Sequence, residues 1–241
     1  MIKIGLDAGH GLYTKGKQTP NGIKEWTLND KVADKVALIL KDYDVEIIRT
    51  DNNEGAIDES LTSRLGKYKK SKVKAFVSIH HNAFTGEWNN ATGVEVYTNK
   101  KATSKDTKLA KCVYNRLVKY TGLKGRGIKK EDWCVINQNT IPSILVEGGF
   151  MDSVNDYKIV TSDAGQTAYA KAVAEGLIEF LKLKKEKTSS LSSKKSLDDW
   201  AKEVIAGKHG NGHMNREKSL KKSGCTYSYT KVKARVNELL K

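Results

Sequence analysis

Long apolar runs are missing from this 241-residue sequence. No stretch approaches the roughly 18 consecutive hydrophobic residues of a membrane span, so no transmembrane helix is expected. Cysteine is scarce: Cys112, Cys134 and Cys225 are odd in number, and no two of them have C-x-x-C spacing. That argues against a disulfide framework or a cysteine metal site and fits synthesis in a reducing cytoplasm. No secretory leader is expected either, because M-I-K-I-G-L-D runs straight into a strand pattern. Any action outside a cell would then need separate release. Acidic residues are outnumbered, 28 against 43 basic, for a net charge of +15. Such a balance favours an anionic partner: nucleic acid, a membrane surface or an anionic wall polymer. Nucleic acid is the least expected of these, since the basic residues lack interleaved aromatics and any recognisable motif.

What is present is an alternation of strand and helix patterns. Ile2, Ile4 and Leu6 alternate with polar or small residues and lead into D-A-G-H-G over residues 7–11, a strand with His10 in a glycine-flanked loop at its carboxyl end. A helix is expected from about Glu25, with Leu28, Val32, Val36, Ile39 and Leu40 at helical spacing. Strands follow over 44–50, 75–81 and 94–97, and helices over 61–70, 104–120 and 164–183. The run I-P-S-I-L-V-E-G-G-F over 141–150 reads as a buried strand stopped at Glu147, with the backbone turning at Gly148 and Gly149. This order implies an α/β fold with an open, mostly parallel sheet flanked by helices over residues 1–183. Residues 184–195, Ser- and Lys-rich, read as a linker. Residues 196–241 read as a small three-helix C-terminal domain; its first helix is capped by Ser196 and carries Leu197, Trp200, Ala201, Val204 and Ile205 on one face.

His10, His80 and Glu147 lie at the carboxyl ends of three expected strands, so a parallel sheet would gather them at one edge, where such folds bind ligands. Glu25 enters the same region. Two imidazoles and a carboxylate make a hydrolytic zinc donor set, and Glu147 is then a spare carboxylate to take a proton. The residues alone leave His81 as an alternative to His80, because neighbours on a strand point oppositely. They also leave Glu25 as a helix-dipole partner and Glu147 as a turn or ion-pair residue.

A resemblance extends this. L-D-A-G-H-G (6–11), Glu25, L-T-S-R (61–64), F-V-S-I-H-H-N-A (76–83), G-V-E-V-Y (93–97), R-G-I (126–128) and P-S-I-L-V-E-G-G-F-M-D-S-V-N-D (142–156) resemble the zinc-dependent N-acetylmuramoyl-L-alanine amidases of the type-3 family. The family usually has alanine at the position of His81, so the resemblance selects His80. It implies one zinc ion on His10, Glu25 and His80, with Glu147 catalytic; Asn82 and Arg126 are expected substrate contacts. Residues 197–240 resemble the wall-binding repeats of some phage lysozymes, through E-V-I-A-G-K-H-G-N-G (203–212), S-L-K-K-S-G-C-T-Y (219–227) and V-K-A-R-V-N-E-L-L (232–240). His209 stands where an aromatic is commoner, and one copy is present. Together these imply a phage endolysin, or a related autolysin, that cleaves the amide between N-acetylmuramic acid and L-alanine. Such an enzyme would be made in the host bacterial cytoplasm and act on the wall after release. Its expected partners are peptidoglycan muropeptides and anionic wall polymers. The rivals are an inactive amidase-like wall binder and a stem-peptide peptidase.

Overall fold

The computed structural model describes residues 1–138, 140–185, 195–210 and 212–240. It divides into two compact units, Met1–Glu186 and Lys187–Lys241. Most of the expected linker, residues 186–194, lies outside the described residues.

The first unit is built on six strands: β1 (Ile2–Ala8), β2 (Val45–Arg49), β3 (Phe76–Asn82), β4 (Val94–Thr98), β5 (Gly125–Lys130) and β6 (Ser143–Phe150). Their order across the sheet is β2-β1-β3-β6-β4-β5. All neighbouring pairs are parallel except β6 with β4. This unit's helices are α1 (Glu25–Leu40), α2 (Leu61–Lys70), α3 (Ser104–Thr121), the single turn α4 (Tyr157–Val160) and α5 (Asp163–Leu181), with a 3₁₀ turn at Cys134–Ile136.

Side-chain alternation decides the layers. Ile4, Leu6 and Ala8 of β1, Val77 and Ile79 of β3, and Ile144 and Val146 of β6 pack on one face with Val36 of α1, Val113 of α3 and Val173 of α5. The odd partners face the other way. Phe76 and Leu145 join Tyr68 of α2 and Val135 and Ile136 of the 3₁₀ turn in a second, smaller core. The sheet is therefore covered on both faces, as mainly parallel sheets are.

Three details differ from the sequence expectation. β6 does not stop at Glu147 but continues through both glycines to Phe150. The register against β3 shifts between His80 and Asn82, and Gly149, at φ +124°, accommodates the irregularity. Residues 125–130, G-R-G-I-K-K, form an edge strand that no apolar pattern announced. Finally, the turn α4 falls within a stretch that had no helical periodicity.

In the second unit α6 (Leu197–Ile205), α7 (His213–Lys222) and α8 (Tyr229–Leu239) enclose Trp200, Ala201, Val204, Leu220, Tyr229, Val232 and Val236. A capping box between Ser196 and Asp199 starts α6.

Candidate metal centre and its cleft

β1 delivers His10 through Gly9. A Cβ at residue 9 would lie 1.9 Å from the His80 ring, so only glycine lets the two imidazoles approach. His10 itself takes the left-handed conformation, φ +67°, uncommon for a residue with a side chain. Arg64 holds it there. The Arg64 guanidinium, 2% exposed, donates to the carbonyls of Ala8 (2.9 Å), His10 (2.8 Å) and Glu59 (2.9 Å) and to the carboxylates of Asp7 (2.6 Å) and Asp58 (3.1 Å). Asp7 is in turn held by Thr50 and Ser78, each at 2.7 Å.

Glu25 opens α1 and is buried. Its Oε2 lies 3.2 Å from His10 Nε2 and its Oε1 lies 3.1 Å from His80 Nδ1. One ligand atom from each of His10, Glu25 and His80 falls within 4.8 Å of the others. Burial works against the Glu25 charge, but hydrogen bonds from His10 and His80 outweigh it and hold the carboxyl well below its usual range.

His80 and His81 diverge, as strand geometry requires. His80 shares the face of Phe76 and Ser78 and looks into the cleft. His81 is buried on the helical side, where its Nδ1 meets Asn29 Oδ1 at 2.8 Å and its ring meets Tyr169 edge-on. Burial pushes the His81 imidazole down to about 4, so it is neutral and donates to Asn29.

Glu147 pairs with His80 across β3 and β6 and with Glu95 across β6 and β4. It is buried, and its Oε2 has no hydrogen-bond partner among the described residues. Burial first, then the nearby Glu25 charge, raise its carboxyl well above the usual range. The Tyr169 hydroxyl ties this part of the sheet together by donating to the carbonyls of Val146 (2.8 Å) and His80 (3.2 Å). Its ring lies where a Cβ on Gly148 would be, 2.0 Å away.

Two hollows meet at the imidazoles. One, about 380 Å³, is bounded by His10, Lys17, His80, Trp133 and Glu147, with an apolar side from Leu61, Val135 and Leu145. The other, about 330 Å³, runs past Asp58, Glu59 and Ser60. Asn82 and Arg126, expected as substrate contacts, border neither. Asn82 ends β3 and its Oδ1 accepts the amide of Ala83 at 2.9 Å. Arg126 is ion-paired with the buried Glu95, which Lys129 also meets at 2.8 Å, and lies 5.0 Å over the Phe150 ring.

Sequence reasoning missed Asn29 and Tyr169, and read Arg64 and Glu95 only as parts of motifs. Asn29 left a trace: it stands four residues after Glu25, a polar side chain on a helix face otherwise apolar. It donates to the carbonyl of Gly9 at 3.1 Å and so braces the His10 loop.

With this geometry established, the chain can be set beside known proteins. Residues 4–179 match the family model of N-acetylmuramoyl-L-alanine amidase, and residues 198–240 match that of the CW_7 repeat. An endolysin of Bacillus phage SPP1 is 32% identical over 198 residues, covering 79% of this chain and 70% of its own length. Among solved structures, an N-acetylmuramoyl-L-alanine amidase from Clostridium difficile 630 superimposes with a TM-score of 0.70 at 28% identity, over 75% of this chain and 97% of its own. The catalytic domain of the amidase CwlV from Bacillus (Paenibacillus) polymyxa var. colistinus gives 0.69 at 27% identity, over 76% and 100%.

Proposed function

The chain belongs to the N-acetylmuramoyl-L-alanine amidase family, and from that premise we propose that it is an endolysin-type, zinc-dependent hydrolase of the amide between the lactyl carbonyl of N-acetylmuramic acid and L-alanine. The observation that carries this reading is the pairing of a three-donor cluster, His10, Glu25 and His80, with a buried Glu147 oxygen that has no partner among the described residues. Two imidazoles and a carboxylate, with a coordination position left over, suit a hydrolytic zinc site, so these three residues would hold the ion. Zinc bound there would supply a Lewis acid and lower the pKa of water.

The chain's own groups do the rest. Glu147, with its raised proton affinity, takes the proton of the attacking water on its carboxylate and passes it to the amide nitrogen. That nitrogen leaves poorly until protonated, which makes the transfer worth having. Lys17, bordering the cleft, keeps the Glu147 proton affinity from rising further. Leu61, Val135 and Leu145 offer the lactyl and alanyl methyl groups an apolar wall that excludes water. Arg126 and Asn82 are assigned to the polar groups of the substrate, Arg126 through the guanidinium edge not committed to Glu95. The C-terminal module, with its CW_7 repeat, docks on muropeptide, and the +15 charge draws the protein towards anionic wall polymers.

Mass spectrometry of peptidoglycan digested by the purified protein tests the reading. Free stem peptides beginning at L-alanine, with muramic acid left intact on the glycan, are expected. Cuts within the stem would make it a peptidase, and an unaltered polymer would make it a binder. Zinc near one per chain, and lysis lost to a chelator and restored by zinc, are expected of the same preparation.

A further inference from the structure

A further hollow of the first unit lies apart from the cleft. It lies at the opposite edge of the sheet, where Ile2 begins β1, Lys74 precedes β3 and Pro142 precedes β6. A strand's length, about 20 Å, separates this edge from the imidazoles. The cavity measures about 750 Å³, and five lysines border it: Lys69, Lys72, Lys74, Lys105 and Lys182. No acidic side chain lines it. All five lysines are exposed, and none makes an ion pair or side-chain hydrogen bond among the described residues.

Five converging cations raise the local potential and oppose one another unless something answers them. Helix ends answer three: Lys69 lies in the last turn of α2, Lys72 directly follows that helix's cap, and Lys182 follows α5. Lys74 has no such partner, and Lys105 sits in the first turn of α3, the end where a cation is disfavoured. The cavity therefore presents a positive field that an external anion can answer.

The kind of anion follows from the lining. Ammonium groups on flexible stems are point charges without the bidentate fork of arginine, and no arginine borders the cavity. That suits phosphates presented in variable register better than one phosphate held in a fixed pose. Base stacking has no platform, since the one ring among the lining residues, Phe180, is half-buried against the core. A lipid surface is disfavoured because Ile2, Ile141 and Leu181 form a half-buried floor and do not project. We propose that this cavity docks a linear phosphodiester polymer, holding the first unit on a polyanionic chain while the opposite edge works. The choice of a wall-borne polymer rests on the wall-hydrolase reading; the anion site does not.

The test uses the full chain and a glycerol phosphate oligomer of defined length as probe. Lys72→Gln, Lys74→Gln and Lys105→Gln are combined in one variant. A charge-matched control combines Lys31→Gln, Lys111→Gln and Lys119→Gln, all exposed and none bordering the cavity. The cavity variant should lose about tenfold or more in affinity at low ionic strength, and the control only a small part of that. Lys74→Arg, which keeps the charge, should bind as the parent does. Equal loss in both triple variants would mean bulk charge alone, and would overturn the site. Vesicles of phosphatidylglycerol, or inorganic phosphate, binding as tightly as the oligomer with the same lysine dependence would overturn the polymer. Hydrolysis of soluble muropeptides, measured on the same samples, should be unchanged by either triple variant. Loss of that activity in the parent would count against the amidase reading and leave the oligomer result standing.

Discussion

Glu25 and Glu147 are both buried carboxylates, and their surroundings drive them apart. Two imidazoles hold Glu25 charged, while burial and then that charge raise the proton affinity of Glu147. The proposed ligand and the proposed proton carrier are thus separable by substitution. Glu147→Gln should keep the fold and bind zinc with near-parental affinity, yet lower kcat by about 10²–10⁴-fold, checked by isothermal titration beside an amidase assay. His80→Ala should abolish zinc binding. His81→Ala should retain it and instead lower the unfolding free energy by about 1–3 kcal/mol, since it strands Asn29 in the interior. Zinc lost at residue 81 and kept at residue 80 would reverse the assignment of the two faces of β3.

At the scale of elements, α2 matters to the site through one side chain. Four of its ten residues are basic and Tyr68 is buried against the sheet's second core, but Arg64 alone reaches the backbone of the His10 loop. Lysine cannot reproduce five directed N–H donors from a planar fork. Arg64→Lys should therefore destabilise the protein by about 3 kcal/mol in denaturant melts and also weaken zinc affinity. A loss of stability with unchanged zinc affinity would make Arg64 a brace for the fold alone. Helix α3 makes a comparable link. Its Thr103–Asp106 capping box also ties down β6, because Asp106 Oδ1 accepts the Ser143 amide at 2.8 Å. Asp106→Ala should cost about 2 kcal/mol, roughly twice what Thr103→Ala costs.

For the whole molecule, the chemistry and the CW_7 repeat fall in different compact units. Among the described residues no helix is long and apolar enough to cross a membrane. A tethered docking module raises the local concentration of its catalytic partner at the wall without any new contact. Removing residues 184–241 should leave zinc content and hydrolysis of soluble muropeptides nearly unchanged, while lysis of intact walls falls. Assays of both forms on both substrates, at low and high salt, check this. Loss of soluble-substrate activity in a still-folded truncated protein would place part of the active site beyond residue 183.

Much of the site could be read without coordinates because its signals are local. Apolar runs ending in His10, His80 and Glu147, and a helix pattern opening at Glu25, each lie within a few residues, and a largely parallel sheet brings strand ends of one sense to one edge. Relations between distant segments could not be read this way. Which imidazole of the His80–His81 pair faces the cleft depends on which side of β3 α1 and α5 cover. The reversal of β4 against β6, which sets Glu95 opposite Glu147, leaves no mark on β4's own sequence. The edge strand β5 is held by pairing with β4, not by an apolar pattern of its own. The lysine cavity draws its walls from both ends of the first unit's sequence, Ile2 to Lys182, and no window of sequence could show those cations converging. Periodicity reports what one segment buries, and only packing decides what that segment meets.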